Sequence, residues 1–145
     1  MQQWKFGAAL GACAILLTGC ATAPSGPAGD VPALEGKTFM WAEGANSECE
    51  IPPTIAFEKD RVSGNGGCNS FTGGYKLEGK AISFTNFAMT MRMCGPAFMD
   101  VEQRFTAALG KARFATAEGE NVTLWGEDMQ PVLKLVPERP GRCDY

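Results

Sequence analysis

Residues 54–85 read TIAFEKDRVSGNGGCNSFTGGYKLEGKAISFT. Apolar side chains alternate along this stretch: Ile55 with Phe57, Tyr75 with Leu77, Ile82 with Phe84. The breaks fall at Lys59-Asp60 and Glu78-Gly79, residue pairs suited to turns. A period of two with one apolar side is the pattern of strands covering a single core. The same rhythm extends outward in both directions. Expected strands are Lys37–Ala42, Thr54–Glu58, Arg61–Gly64, Gly74–Leu77, Ala81–Thr85, Phe87–Met93, Arg113–Thr116, Val122–Trp125 and Val132–Val136. One segment departs from it. Phe98, Val101, Phe105, Ala108, Leu109 and Ala112 recur at three- and four-residue intervals, and Gly95-Pro96 stands at a helix start. The expected class is therefore mostly β (β-rich α+β): a small antiparallel meander barrel of eight or nine strands. One amphipathic helix, about 96–111, plugs or crosses one end.

The N-terminus carries a different message. Lys5 is the single charge before an apolar run, Phe6 to Leu17, which ends in Leu17-Thr18-Gly19-Cys20. A charged start, a short apolar centre and a small-residue cleavage site make a secretory signal, too short to span a bilayer. The tetrapeptide resembles a bacterial lipobox, which makes residues 1–19 a signal peptide and Cys20 the lipidation site and new first residue. Several acyl chains anchor a protein stably where one is marginal. Residues 21–33, ATAPSGPAGDVPA, lack core formers and read as a mobile tether, with the domain occupying 34–145. Ala21 stands where an aspartate favours inner-membrane retention in enterobacterial-type sorting. Its presence points to the periplasm-facing leaflet of the outer membrane.

Removing residues 1–19 from the 145 leaves 126, enough for one domain with a core. The removed piece holds one cation, so the formal net charge of −3 becomes −4. That acidity argues against nucleic acid and against a polybasic grip on lipid. The chain contains no histidine, which removes the usual general base and the commonest transition-metal ligand. Asp60, Asp100 and Glu102 form no recognisable acid–base pair, and no cofactor motif is present. Without Cys13 and Cys20, four of the six cysteines remain: Cys49, Cys68, Cys94 and Cys143. An even number in an exported domain reads as two disulfides, with three connectivities open. No two stand at the short spacing of a structural zinc site.

The stretch from Ile51 to Leu135 resembles the META/HslJ-like family. The resemblance rests on PPTIAFEKDRVSGNGGCNSFTGGY at 52–75, AMTMRMC at 88–94, Glu102 and Phe105, and the closing VTLW and PVLKLV segments. It implies a small antiparallel barrel with a helix on a periplasm-facing lipoprotein. The family's loose association is with heat-shock induction, antibiotic tolerance and envelope stress, and it implies neither enzymatic activity nor cofactor. It also suggests a Cys68–Cys94 bridge, because each cysteine closes a family motif, which leaves Cys49 and Cys143 to pair.

Three local readings follow. Asn65, Gly66, Gly67 and Asn69 form a turn-rich loop around Cys68, either a tight stapled connection or a candidate binding loop. It lacks the lysine and the glycine frame of phosphate-binding loops. Met89, Met91 and Met93 alternate and share a face, read as an adaptable core stripe with a copper(I) site as the rival. Thr90 and Arg92 take the other face. Glu102 lies about 40° from Phe98 around the helix, at roughly 100° per residue, and Arg92 is its expected ion-pair partner. The function these readings favour is non-catalytic: an envelope lipoprotein presenting a disulfide-stapled barrel to another envelope protein in stress tolerance. The alternative is a carrier holding a small apolar ligand inside the barrel.

Overall fold

The computed structural model describes residues 26–44 and 52–139. The lipobox, Cys20, Cys49 and Cys143 lie outside the described residues. Eight strands form the barrel: β1 Lys37–Trp41, β2 Thr54–Glu58, β3 Arg61–Asn65, β4 Ser70–Glu78, β5 Ala81–Met89, β6 Phe114–Glu118, β7 Asn121–Trp125 and β8 Pro131–Pro137. Each pairs antiparallel with its sequence neighbour, and β1 closes on β8 through Phe39↔Pro137, Met40↔Val136 and Trp41↔Leu135. Helix α1, Pro96–Lys111, connects β5 to β6.

The alternating residues do what their period requires. Ile55, Phe57, Val62, Phe71, Tyr75, Ile82, Val122, Leu124, Leu133 and Leu135 are all buried in one cluster. Phe57 meets the rings of Phe39 and Tyr75 edge-on at 5.9 and 5.0 Å. Edge-on contact is the arrangement that aromatic quadrupoles favour. Phe39, Phe57, Phe71 and Phe105 are among the largest fully buried side chains, so the described interior is filled by the protein itself.

Two differences from the expected strands have local causes. The segments expected as Ala81–Thr85 and Phe87–Met93 form one strand that ends at Met89, so eight strands result rather than nine. Asn86 takes a positive φ of 54° inside it, opposite a register shift between Thr72 and Gly74. Asparagine tolerates the left-handed region better than most residues, which lets the strand bend without ending. The second difference is in the tether. Residues 26–30, expected to be mobile, lie along β6: Asp30 exchanges two backbone hydrogen bonds with Ala117, and Lys80 Nζ donates to the Pro27 carbonyl. Leu34 then enters the core at 2% exposure.

Helix α1 has the expected bounds. Phe105 packs on Trp41 at the end of β1 and on Phe71 near the start of β4, each with ring centroids 6.0 Å apart. The helix therefore crosses the barrel end opposite the β2–β3, β4–β5 and β6–β7 turns. Its buried face is Val101, Glu102, Phe105 and Leu109, whereas Phe98 is 44% exposed. The expected stripe is thus displaced at its N-terminal end, where a carboxylate goes inside and a phenylalanine does not. Pairing between β5 and β6 is confined to Ala81↔Phe114 and its flanking hydrogen bonds. The rest of β5 runs on beside β4 alone.

Candidate functional site

The residues singled out by the sequence converge where β3 passes into β4, beneath the first turns of α1. The loop from Asn65 turns sharply: the Asn65 side chain accepts from the Gly67 N–H at 2.8 Å, and Gly66 N–H donates to the Asn69 carbonyl at 2.8 Å. Gly67 sits at φ +130°, and a Cβ there would lie 3.2 Å from the Phe98 carbonyl oxygen. A Cβ on Gly66 would lie 3.0 Å from Glu102 Cγ. Glycine at these positions lets the loop press directly on the helix.

That contact brings Glu102, 7% exposed, against the loop's backbone. Its carboxylate accepts from the Cys68 N–H at 3.1 Å, from the Asn69 N–H, and from Asn69 Nδ2 at 2.8 Å. Burial alone raises the Glu102 pKa, but the Asn69 side chain and the two backbone N–H groups outweigh it and hold the carboxyl below its ordinary value. Asn69, 3% exposed, links this carboxylate to the chain after β5. Its Oδ1 accepts from Thr90 Oγ1 at 2.9 Å and from the Arg92 N–H at 2.6 Å, while Nδ2 also donates to the Arg92 carbonyl at 3.3 Å. Arg92 Nη2 donates to the Cys68 carbonyl at 2.8 Å. Two residues further on, Cys94 is disulfide-bonded to Cys68. Three separate pieces of chain are therefore tied together by one asparagine, one glutamate and one disulfide.

Several expectations change here. Arg92 and Glu102 make no ion pair: both address the Cys68–Asn69 backbone, Arg92 from its carbonyl side and Glu102 from its N–H side. The charges are satisfied by peptide groups, which a sequence pairing of unlike charges overlooks. The candidate binding loop is turned inward. Gly66 and Asn69 are buried, and the polar atoms of Asn69 are used within the protein. Bonding Cys68 to Cys94 also removes the all-thiolate zinc site as a rival.

The methionine stripe is reversed. Met91 and Met93 are 95% and 90% exposed, and Met89 is 37% exposed. The side chains anchored inward are instead those between and after the methionines: Thr90 and Arg92 by hydrogen bonds and Cys94 by the disulfide. A hydrogen-bonded and covalently tied face outcompetes apolar burial here because the segment has left the sheet.

Beside the lock, Met89, Pro96, Met99, Asp100, Gln103 and Thr106 help line a cleft of about 520 Å³. At the opposite end a smaller cleft of about 290 Å³ lies between Leu34, Glu35, Asp60, Tyr75 and Leu77. Burial first, then the Glu35 and Asp60 charges, push the Tyr75 hydroxyl pKa up. Asp100 is paired with Arg104 on the exposed helix face at 2.9 Å, and the Arg104 guanidinium lies 5.5 Å over the Trp41 ring.

Known proteins resemble the chain chiefly in fold. A protein from Burkholderia xenovorans solved by NMR superposes with a TM-score of 0.64 at 17% identity, covering 83% of this chain and 97% of its own. Another NMR structure gives 0.56 at 24% identity, covering 72% and 91%. The crystal structure of a DUF4847 family protein from Bacteroides vulgatus gives 0.56 at 13% identity, covering 74% and 96%. No curated protein matches the chain. The META domain model matches residues 35–138, a span that takes in all eight strands, the helix and the Cys68–Asn69–Glu102 lock, and the chain belongs to the META domain family.

Proposed function

We propose that this protein is a non-catalytic envelope lipoprotein. Cys20 carries the acyl chains in the outer membrane's inner leaflet, and the stapled barrel binds another envelope protein in stress tolerance. The observation that carries the reading is the placement of the exposed apolar side chains. Met91, Met93 and Phe98 stand at the helix-capped end of the barrel, while residues 26–30 lie along β6, with Pro27 bonded to Lys80 of the β4–β5 turn at the other end and Gly26 against Phe114. An anchor at the N-terminus therefore holds one end near the lipid and turns the apolar rim away from it. The segment is fixed on one side by Asn69 and the disulfide, so its outward side chains are presented at little further ordering cost.

The absence of histidine and the engagement of Glu102 with three N–H donors support a non-catalytic role. The carrier reading has less support, because aromatic and branched side chains occupy the described interior.

The test is photo-crosslinking in intact envelopes, with the photoreactive residue at position 93 or, as the control, at Lys134 on the barrel wall. The expected result is one reproducible protein adduct from position 93, absent from position 134 and lost when Phe98→Asp is added. Adducts equally abundant from both positions refute docking at this rim. Cys20→Ser should release the protein from the membrane fraction, and retention there would refute the anchor.

A further inference from the structure

Four of the seven methionines fall between residues 89 and 99. Two of them, Met91 and Met93, are almost fully exposed, and Met89, two residues before, is partly exposed beside the helix. Neither Met91 nor Met93 contributes to the core, so their thioethers are free to meet a ligand. We propose that Met89, Met91 and Met93 form a thioether site for a soft monovalent cation, copper(I).

The placement meets what such a site requires. The three thioethers stand two residues apart on one short segment, so successive Cα atoms lie at most about 7 Å apart at ~3.3–3.6 Å per residue. Flexible thioethers at that spacing converge readily on one ion. The intervening residues are held from the other side by the Thr90 hydroxyl bond to Asn69, the Arg92 bonds to Asn69 and Cys68, and the Cys68–Cys94 bridge. The donors are thus mobile and their backbone is not. The bridge also matters chemically. Cys94, next to Met93, is tied up in a disulfide, so the soft donors on this segment are thioethers alone. Uncharged sulfur ligands favour copper(I) and disfavour zinc or magnesium, which prefer thiolate, imidazole or oxygen. Arg92 turns its guanidinium to the Cys68 carbonyl, on the far side from the methionines. Met99 lines the same cleft as Met89, within the first turns of α1.

The proposal does not depend on a protein partner, because its test uses the purified full chain alone. Methionine methyl groups labelled with carbon-13 are followed by NMR during titration with silver(I), a redox-inert stand-in for copper(I), in chloride-free buffer. The resonances of Met89, Met91 and Met93 should move together and saturate at one equivalent, while Met40 and Met129 hold still. Met129 is the decisive control, being 39% exposed but isolated from the cluster. In competition with bicinchoninate under anaerobic conditions, Met91→Leu with Met93→Leu should weaken copper(I) binding by about tenfold or more, as expected for removing two soft donors. Both side chains are exposed, and an unchanged melting temperature will show that the variant folds. Three results would overturn the assignment: shifts shared equally with Met129, no shift at all, or copper(I) affinity unchanged in the double variant.

Discussion

The barrel has two seams of unlike construction. Where β8 meets β1, three residue pairs in register are extended by Ala42 N–H to the Lys134 carbonyl and Glu138 N–H to the Thr38 carbonyl. Where β5 meets β6, pairing is confined to Ala81↔Phe114 and its neighbours, and β5 runs on for eight residues with β4 as its partner. The chain compensates at that open side. Past the end of β5 come the Asn69 hub, the Glu102 carboxylate and the disulfide, and the helix then crosses the barrel end. One seam is held by repetitive backbone bonds. The other relies on a few side chains with no substitutes, so damage should be spread out at the first and concentrated at the second.

Mutations can break that contrast. Glu102→Ala is expected to cost most, about 4 kcal/mol in denaturant unfolding, because it strands the buried donors of Cys68 and Asn69. A cost below about 1 kcal/mol would mean that water replaces the carboxylate freely. Replacing Cys68 and Cys94 by serine opens a loop with a sequence separation of 26 and should cost about 3.5 kcal/mol on the chain-entropy estimate. Hydrogen exchange should quicken in 89–98 ahead of the β1–β8 seam.

Acid sharpens the comparison. Because the folded Glu102 pKa is depressed, its contribution is fully present above the unfolded value of about 4.3 and is lost as pH falls through the folded value. Between those values the wild type should lose stability with falling pH. Glu102→Gln, measured across the same range, should lose that component of the slope. At the other seam, Val136→Ala removes a cross-strand contact with Met40 but no backbone bond, and about 0.5 kcal/mol is expected. A loss at Val136 rivalling that at Glu102 would erase the distinction between the seams.

How much of this was legible in the sequence follows from what pattern encodes. Period two specifies which residues share a face, and burying that face on a single core then sets the barrel, so Ile55 with Phe57 and Leu133 with Leu135 read correctly. The helix was legible to its bounds because Gly95-Pro96 and a 3.6-residue period agree. Period alone does not say which face turns inward once a segment leaves the sheet. At 89–94 the choice falls to Asn69, some twenty residues away, whose side-chain oxygen binds the chain at Thr90 and Arg92. The same long-range capture explains Glu102. An acid at the edge of an apolar stripe signalled a buried partner correctly, but the nearest cation in the motif was the wrong one. Backbone N–H groups at a glycine-rich turn carry no letter in the sequence. The adjacent Gly66-Gly67 was the available hint that a backbone would come close enough to donate.

The two-bond bridge between Asp30 and Ala117 also bears on reach. Between Cys20 and Gly26 lie six peptide steps, about 20 Å at full extension. Because the chain is already seated on β6 from residue 26 onward, those steps are the whole leash that an acylated Cys20 would provide. On the proposed anchoring, such a leash would hold the barrel close against the headgroups and confine it to a narrow layer above the leaflet. Any protein it met would then have to come to that layer, and breaking the Asp30–Ala117 bridge would add slack without altering the barrel.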